Sequence, residues 1–328
     1  MNAHIAIYKR FFFKFLATVF ALSFIFDSCL YADSRMFKSN EIMFRAVTLI
    51  DGLEHPWAMT FLPTGNLLIT ERTGRLLWFK NSKLYEVSGL PNISVGGQGG
   101  LLDVVLHPDY VVNKKICFSY SAGDNRNIGT EIACGKFDDA HLSNLKVIFR
   151  AVPKSKKNVH FGSRLLFTSA GNLYATLGDR GYRFSAQDLG VHPGSVIRVR
   201  DDGSTPQDNP FLANATAQPE IFAYGNRNPQ GMALEPGSDR IWIHEHGPRG
   251  GDELNVLSAG VNYGWPVISF GSEYISGKPV GEGTHKIGMQ QPVFYWTPSI
   301  APSGMTFYNG EKFPKWRGNI FIGSLKFE

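Results

Sequence analysis

The chain has 328 residues, 43% hydrophobic and 19% charged, which excludes a disordered or low-complexity polymer and describes a globular protein with a substantial core. Thirty-five glycines and eighteen prolines are scattered along it, a composition of many tight turns between short strands that favours an all-β chain over a helical or α/β one. Its net charge of +5 carries no Lys/Arg block beyond Lys154–Lys157, which reads as a solvated loop, so no concentrated basic surface exists and nucleic acid is excluded as a partner.

Residues 1–32 stand apart. Lys9, Arg10 and Lys14 precede an apolar run from Phe15 to Phe26, and small residues follow near Ala32. A basic start, an apolar stretch too short to span comfortably and a plausible cleavage site predict a secretory signal. A single N-terminal membrane anchor is the competing reading. Phe26-Asp27-Ser28 before Cys29 is a poor context for lipidation. Removing Lys9, Arg10, Lys14 and Asp27 with the leader lowers the net charge to +3. The expected product is residues 33–328, one domain, periplasmic or secreted, with no stable membrane insertion.

Beyond the leader one pattern recurs: an apolar residue, a Pro/Gly turn and an alternating strand. It runs FLPTGNLLITERTGRLLWF from Phe61, VLHPDYVVNKKICFSYS from Val105 and LFTSAGNLYATLGDRG from Leu166. It returns as ALEPGSDRIWIHEHG from Ala233 and TFYNGEKFPKWRGNIFIGSLK from Thr306. Each copy has the alternation and the bend glycine of a hairpin. Copies spaced by a few tens of residues predict the blades of a β-propeller. Phe44–Leu49, ahead of the first copy, is the candidate strand for closing the ring, and a last blade would need more sequence than follows Ser324, so the domain reads as C-terminally incomplete. Ile116–Ser121 and Thr130–Lys136 read as two strands joined by the polar segment Gly123–Gly129. A turn at Asn125-Arg126 would set Cys117 opposite Cys134, either as a disulfide suited to an oxidising compartment or as two buried thiols.

The connections between copies hold the chemistry-bearing residues, as propeller loops do. In GGQGGLLDV, Gly96 to Val104, glycines flank Gln98 and leave its amide as the polar reader, or simply make a turn. In HFGSRLLF, His160 is followed by a strand and then Asp179 in GDRG, the order that a general base and its orienting carboxylate require; a lone histidine is more often structural. In YGNRNPQGMAL, Arg227 and Asn228 precede a proline and offer rigid donors to an anion or carbonyl, or stabilise the loop. In HEHGPRGGDELNVLSAGVNYGWP, the acids Glu245, Asp252 and Glu253 lie among glycines near Gly247-Pro248, a composition suited to calcium without EF-hand spacing. His244-Glu245-His246 has the wrong spacing for a zinc site and would lie on a strand. In WTPSIAPSGM, Trp296 sits in a proline-rich loop that could stack on a planar ligand or merely pack.

Taken in order, LEHPWAMTFLPTG, GGQGGLLDVVLHP, HFGSRL, LGDRG, AQDLG, YGNRNPQG, HEHGPRGGDELN, NYGWP and WTPSIAPSGM resemble the soluble aldose sugar dehydrogenases that use pyrroloquinoline quinone (PQQ), of the glucose/sorbosone dehydrogenase family. The resemblance covers about Val47 to Lys326. It implies a six-bladed β-propeller carrying PQQ and calcium that oxidises aldoses to lactones and passes electrons to an external quinone or cytochrome. On that resemblance His160 is the general base toward the anomeric hydroxyl, Asp179 orients it, and Arg227 stabilises charge on the quinone. Gly247 and Pro248 correspond to carbonyl ligands of the cofactor calcium, and Glu253 and Tyr263 to ligands of a second calcium. Asn228, Ser299 and Lys326 correspond to cofactor contacts, with Arg227 and Lys326 as the cations a tricarboxylate needs. Gln98 corresponds to a sugar contact, and the resemblance implies that Trp296 lines the sugar entrance.

Two departures stand out. Pro193 and Ser195 replace an apolar residue and a lysine common in the family, and the family continues past Glu328 with an arginine pair that contacts the cofactor. The alternative functions are therefore a non-catalytic periplasmic propeller, acting as a sugar-binding or interaction module without PQQ, and a calcium-dependent lactonase on the same fold.

Overall fold

The computed structural model describes residues 34–124 and 127–326; the expected leader lies outside the described residues. Two compact units divide at Gly52. In the first, β1 (Ser34–Lys38) and β2 (Met43–Val47) form an antiparallel hairpin. Its turn is closed by the Ser39 backbone N–H donating to the Ile42 carbonyl at 2.9 Å. The strand expected to close the ring thus pairs with β1 instead, in a two-stranded sheet. A four-residue turn closes at far lower chain entropy than pairing with a strand some 270 residues away.

The second unit is an all-β propeller. β3 (Pro56–Phe61), β4 (Leu67–Glu71), β5 (Arg75–Lys80) and β6 (Lys83–Glu86) form the first four-stranded sheet. The second is β7 (Leu101–Leu106), β8 (Lys115–Asp124), β9 (Asn127–Asp138) and β10 (His141–Arg150). The third is β11 (Leu165–Phe167), β12 (Asn172–Thr176), β13 (Ser195–Arg200) and β14 (Ile221–Tyr224). The fourth is β15 (Pro229–Leu234), β16 (Ile241–Glu245), β17 (Asp252–Val256) and β18 (Phe294–Trp296), and β19 (Pro302–Phe307) pairs with β20 (Ile320–Ser324). Every pairing within these sheets is antiparallel between consecutive strands. The first strand of each sheet lies beside the first strand of the next, from β3 through β7, β11 and β15 to β19. That radial order is the propeller, and the five sequence copies are its five first-to-second strand connections.

Between sheets the alternating apolar residues meet. Leu68, Leu76, Leu101, Ile116 and Phe118 join the first sheet to the second, and Ile132, Leu173, Ala175 and Ile197 join the second to the third. All are buried, so an apolar core fills each of these interfaces. The second sheet departs from expectation in length: its central hairpin runs on to the pair Asp124↔Asn127. Residues read as a polar turn, Gly123 and Ile128 among them, are ladder residues. Cys117 and Cys134 are direct cross-strand partners and form a disulfide, which settles the choice the sequence left open. The Lys154–Lys157 stretch is a loop, as read, but it is not simply solvated: Lys154 donates to the buried Glu131 carboxylate at 2.7 Å.

Candidate functional site

The loop from β10 to β11 carries His160 with left-handed backbone (φ 51°), a conformation that a side chain with a Cβ adopts only where its surroundings hold it. Two contacts hold it here. The His160 N–H donates to Gln98 Oε1 at 2.6 Å, and the His160 carbonyl lies so close to Gly178 that a Cβ there would sit 2.3 Å from the oxygen. The glycine of GDRG therefore lets the two loops touch.

Across that contact His160 Nδ1 lies 2.6 Å from Asp179 Oδ1. Asp179 is 1% exposed, and its oxygens also accept the Gly181 N–H at 2.6 Å and the Trp265 indole N–H at 2.8 Å. Burial pushes the Asp179 carboxyl up, but the hydrogen bond and charge of His160, with the Gly181 and Trp265 donors, outweigh it and hold the group below the usual carboxylate range. An ionised Asp179 places the imidazole proton on Nδ1 and leaves Nε2 as an acceptor.

Arg227 and Asn228 occupy the loop from β14 to β15. Their backbone N–H groups both donate to Glu245 Oε2 at the end of β16, the second at 3.3 Å. The Arg227 guanidinium donates to the His246 carbonyl at 3.0 Å, reaches the Tyr274 hydroxyl at 3.4 Å and lies 5.5 Å from the centroid of the Trp265 ring. No carboxylate pairs with it among the described residues. The Arg227 carbonyl accepts the Asp179 N–H at 2.8 Å, so the histidine–aspartate loop and the arginine loop are tied directly. Asn228 is buried and accepts the Gly162 N–H at 3.2 Å through Oδ1.

The acids behind this surface behave differently from one another. Asp252 is fully buried and satisfied: its carboxylate accepts Gly247 N–H at 2.8 Å, the Ser299 hydroxyl at 2.7 Å, Ile300 N–H at 2.8 Å and Ala301 N–H at 2.9 Å. Glu245 and Glu253 are cross-strand partners, both buried. Burial pushes Glu245 up to about 7 against the donors from Asn226, Arg227 and Asn228. Burial, followed by the charge of Glu245, raises Glu253 well above the carboxylate range. Two adjacent buried carboxyls of this kind fit a hard cation, which would relieve both desolvation and mutual repulsion. Among the described residues no group of three or more His, Cys, Asp or Glu has a metal-binding arrangement, so a cation here needs backbone carbonyls. Those of Gly247, Pro248 and Tyr263 accept no hydrogen bond among the described residues. The Tyr263 hydroxyl is otherwise engaged, donating to the Val256 carbonyl at 2.7 Å, and burial raises its pKa to about 12.

A cavity of ≈ 320 Å³ opens beside these groups, lined by Trp57, Gln98, Phe161, Asn228, His246 and Leu325, among others. Its size lies at the lower end for small-molecule sites. Of the residues singled out in the sequence, Gln98 and Asn228 line it, His160 adjoins it through Phe161, and Lys326 follows Leu325 on the turn after β20. Gly247, Glu253, Tyr263 and Arg227 line a second, smaller recess. Trp296 lines neither; it lies on β18 against Phe294, ring centroids 5.0 Å apart, and Ser299 spends its hydroxyl on Asp252. Sequence reasoning passed over Trp265, whose only signal was its place in NYGWP, and gave Glu245 and Asp252 no individual roles within their acidic cluster.

The sequence profile described as Glucose / Sorbosone dehydrogenase matches residues 53–328. The aldose sugar dehydrogenase YliI of Escherichia coli is 46% identical over 285 residues, covering 85% of this chain and 77% of that protein. The crystal structure of the soluble aldose sugar dehydrogenase of Escherichia coli in its apo form is similar with a TM-score of 0.81 at 45% identity, covering 84% of this chain and 81% of that one. The PQQ-bound aldose sugar dehydrogenase of Streptomyces coelicolor is similar with a TM-score of 0.70 at 26% identity, covering 90% and 79%.

Proposed function

The chain belongs to the glucose/sorbosone dehydrogenase family, and from that membership we propose that it oxidises aldose sugars to lactones with PQQ as hydride acceptor and calcium as its companion ion. The observation that supports this most is the contact of partly exposed His160 with buried Asp179 at 2.6 Å, which leaves Nε2 of His160 as a base next to a cavity lined by its neighbour Phe161. His160 Nε2 takes the proton of the anomeric hydroxyl, and Asp179 holds the ring and stabilises the imidazolium that results. Gln98 orients the sugar while fixing the His160 backbone.

PQQ and calcium, when bound, supply the two-electron acceptor and the Lewis acid that polarises its carbonyl. Arg227, Asn228, Ser299 and Lys326 would hold the cofactor; the buried Arg227 guanidinium without a carboxylate partner suits an anionic ligand. The free carbonyls of Gly247 and Pro248 would take the cofactor calcium, and Glu253 with the Tyr263 carbonyl a second one. The same reading gives a six-bladed ring, residues 1–32 as a secretory leader, a periplasmic or secreted location and an external quinone or cytochrome as final acceptor. Among the described residues no helix is long and apolar enough to cross a membrane.

Dye-linked oxidation of a panel of aldoses by the purified protein, with calcium and PQQ added together and each omitted in turn, tests this. Turnover that requires both supports the proposal. Calcium binding with no turnover assigns a non-catalytic propeller, and lactone hydrolysis without PQQ assigns a hydrolase.

A further inference from the structure

Trp265 joins two groups that the proposed reaction uses separately. Its indole N–H donates to Asp179 Oδ2 at 2.8 Å, across 86 residues of sequence, on the oxygen that His160 does not use. Its ring has two guanidinium groups within cation–π range, Arg227 at 5.5 Å and Arg183 at 5.7 Å from the centroid. The residue is itself fixed independently of both. Its N–H donates to the Gly225 carbonyl at 2.9 Å, its carbonyl accepts from Gln187 Nε2 at 2.7 Å, and its ring packs with Ala186 and Val280. It is 7% exposed.

We propose that Trp265 is a positioning residue: its N–H locks the second oxygen of Asp179, and its ring fixes the plane of Arg227, so that base and cation keep one relative geometry. The inference rests on the His160–Asp179 reading above. A buried carboxylate with one oxygen unsatisfied is free to rotate toward other donors, and the charged groups around Asp179 are His160, Arg180 and Arg183. Rotation toward either arginine would release the Nδ1 proton of His160 and its tautomer. The Trp265 donor blocks that rotation, and it is also one of the contacts that lower the Asp179 pKa.

The test compares Trp265→Phe, which keeps a flat ring and removes the donor, with Arg183→Met, which removes the outer cation and keeps the donor. The carboxyl of Asp179 is titrated by carbon NMR in the protein without added calcium or PQQ. The midpoint should move up in Trp265→Phe, which loses a direct hydrogen bond, and by less in Arg183→Met, which loses only a more distant charge. In the reconstituted enzyme kcat should fall about tenfold in Trp265→Phe with KM unchanged. Should Trp265→Phe not fold, the wild-type indole N–H resonance of Trp265 decides: it should shift with the ionisation of Asp179 and cease to titrate in Asp179→Asn. A folded Trp265→Phe with an unchanged Asp179 midpoint, or an indole resonance indifferent to Asp179, overturns the proposal. Because the titration needs no turnover, it stands apart from any failure of the dehydrogenase reading.

Discussion

His160 and His244 both come from motifs that look chemical in the sequence, and the fold treats them in opposite ways. His160 sits on a loop, partly exposed, with Nδ1 held by an ionised carboxylate at 2.6 Å. His244 lies mid-sheet on β16, fully buried, and among the described residues neither ring nitrogen has a hydrogen-bond partner. Its ring fills the space above Gly231 on β15, where a Cβ would fall 2.0 Å from Nε2. Burial, followed by the nearby Arg164 and His246 charges, depresses its pKa to about 3. An imidazole is a base only where a carboxylate orients it and solvent or substrate reaches it; otherwise it is a polar ring used for its volume.

That contrast breaks first at His160. Replacing it with alanine should lower the turnover of the calcium- and PQQ-loaded enzyme by about 10²–10⁴-fold, the usual worth of a positioned general base. The melting temperature should barely change, since the residue contributes little to the core. If His160→Ala kept more than a tenth of the activity, the base would lie elsewhere.

A second measurement asks whether the cation side is separable from the base side. Calcium at a hundred times its dissociation constant should stabilise the protein by about 2.7 kcal/mol, read as a rise in melting temperature over a chelator-treated sample. His160→Ala should keep that rise and Glu253→Gln should lose most of it. A Glu253→Gln protein with the full calcium response would move the ion away from the Glu245–Glu253 pair.

His244 gives the complementary case. His244→Ala should cost about 2 kcal/mol of stability through the cavity it leaves. Activity measured well below the melting temperature should be nearly unchanged. The wild-type ring is neutral when folded and takes up a proton on unfolding once the pH falls below the ordinary histidine value of 6.5. The unfolded state then binds more protons, so stability falls as pH is lowered from about 6.5 toward about 3. His244→Gln should flatten that part of the stability–pH curve, and an unchanged slope would show that other groups set it.

The propeller was legible because strand alternation and turn glycines repeat: the five copies mark the five first-to-second strand connections. The Cys117–Cys134 pairing was half legible, since register followed from the turn but the redox state did not. What failed was the fate of Phe44–Leu49, because an alternating strand does not name its partner and a local hairpin was available to it. In the site, His160, Asp179, Gln98 and Asn228 fall together as expected. Trp265 and Asp252 escaped because their importance lies in which distant backbone and carboxyl groups they meet, and no local spacing encodes a contact across 86 residues.

The smallest effect concerns Ser299, which the family resemblance places against the cofactor and which here donates to Asp252 at 2.7 Å. The two roles predict different outcomes for Ser299→Ala. As the partner of Asp252, the hydroxyl is one of several donors to a buried carboxylate, alongside the N–H groups of Gly247, Ile300 and Ala301. Its loss should then cost about 1 kcal/mol of stability in the protein without cofactor, because the remaining donors keep the charge satisfied. A direct cofactor contact would leave that stability unchanged and weaken PQQ binding instead. Thermal melts without PQQ, set beside a PQQ titration of the same variant, separate the two. A loss in both would mean that Asp252 holds Ser299 in place for the cofactor, making the satisfied acid the scaffold of the binding loop, as Asp179 is of the base.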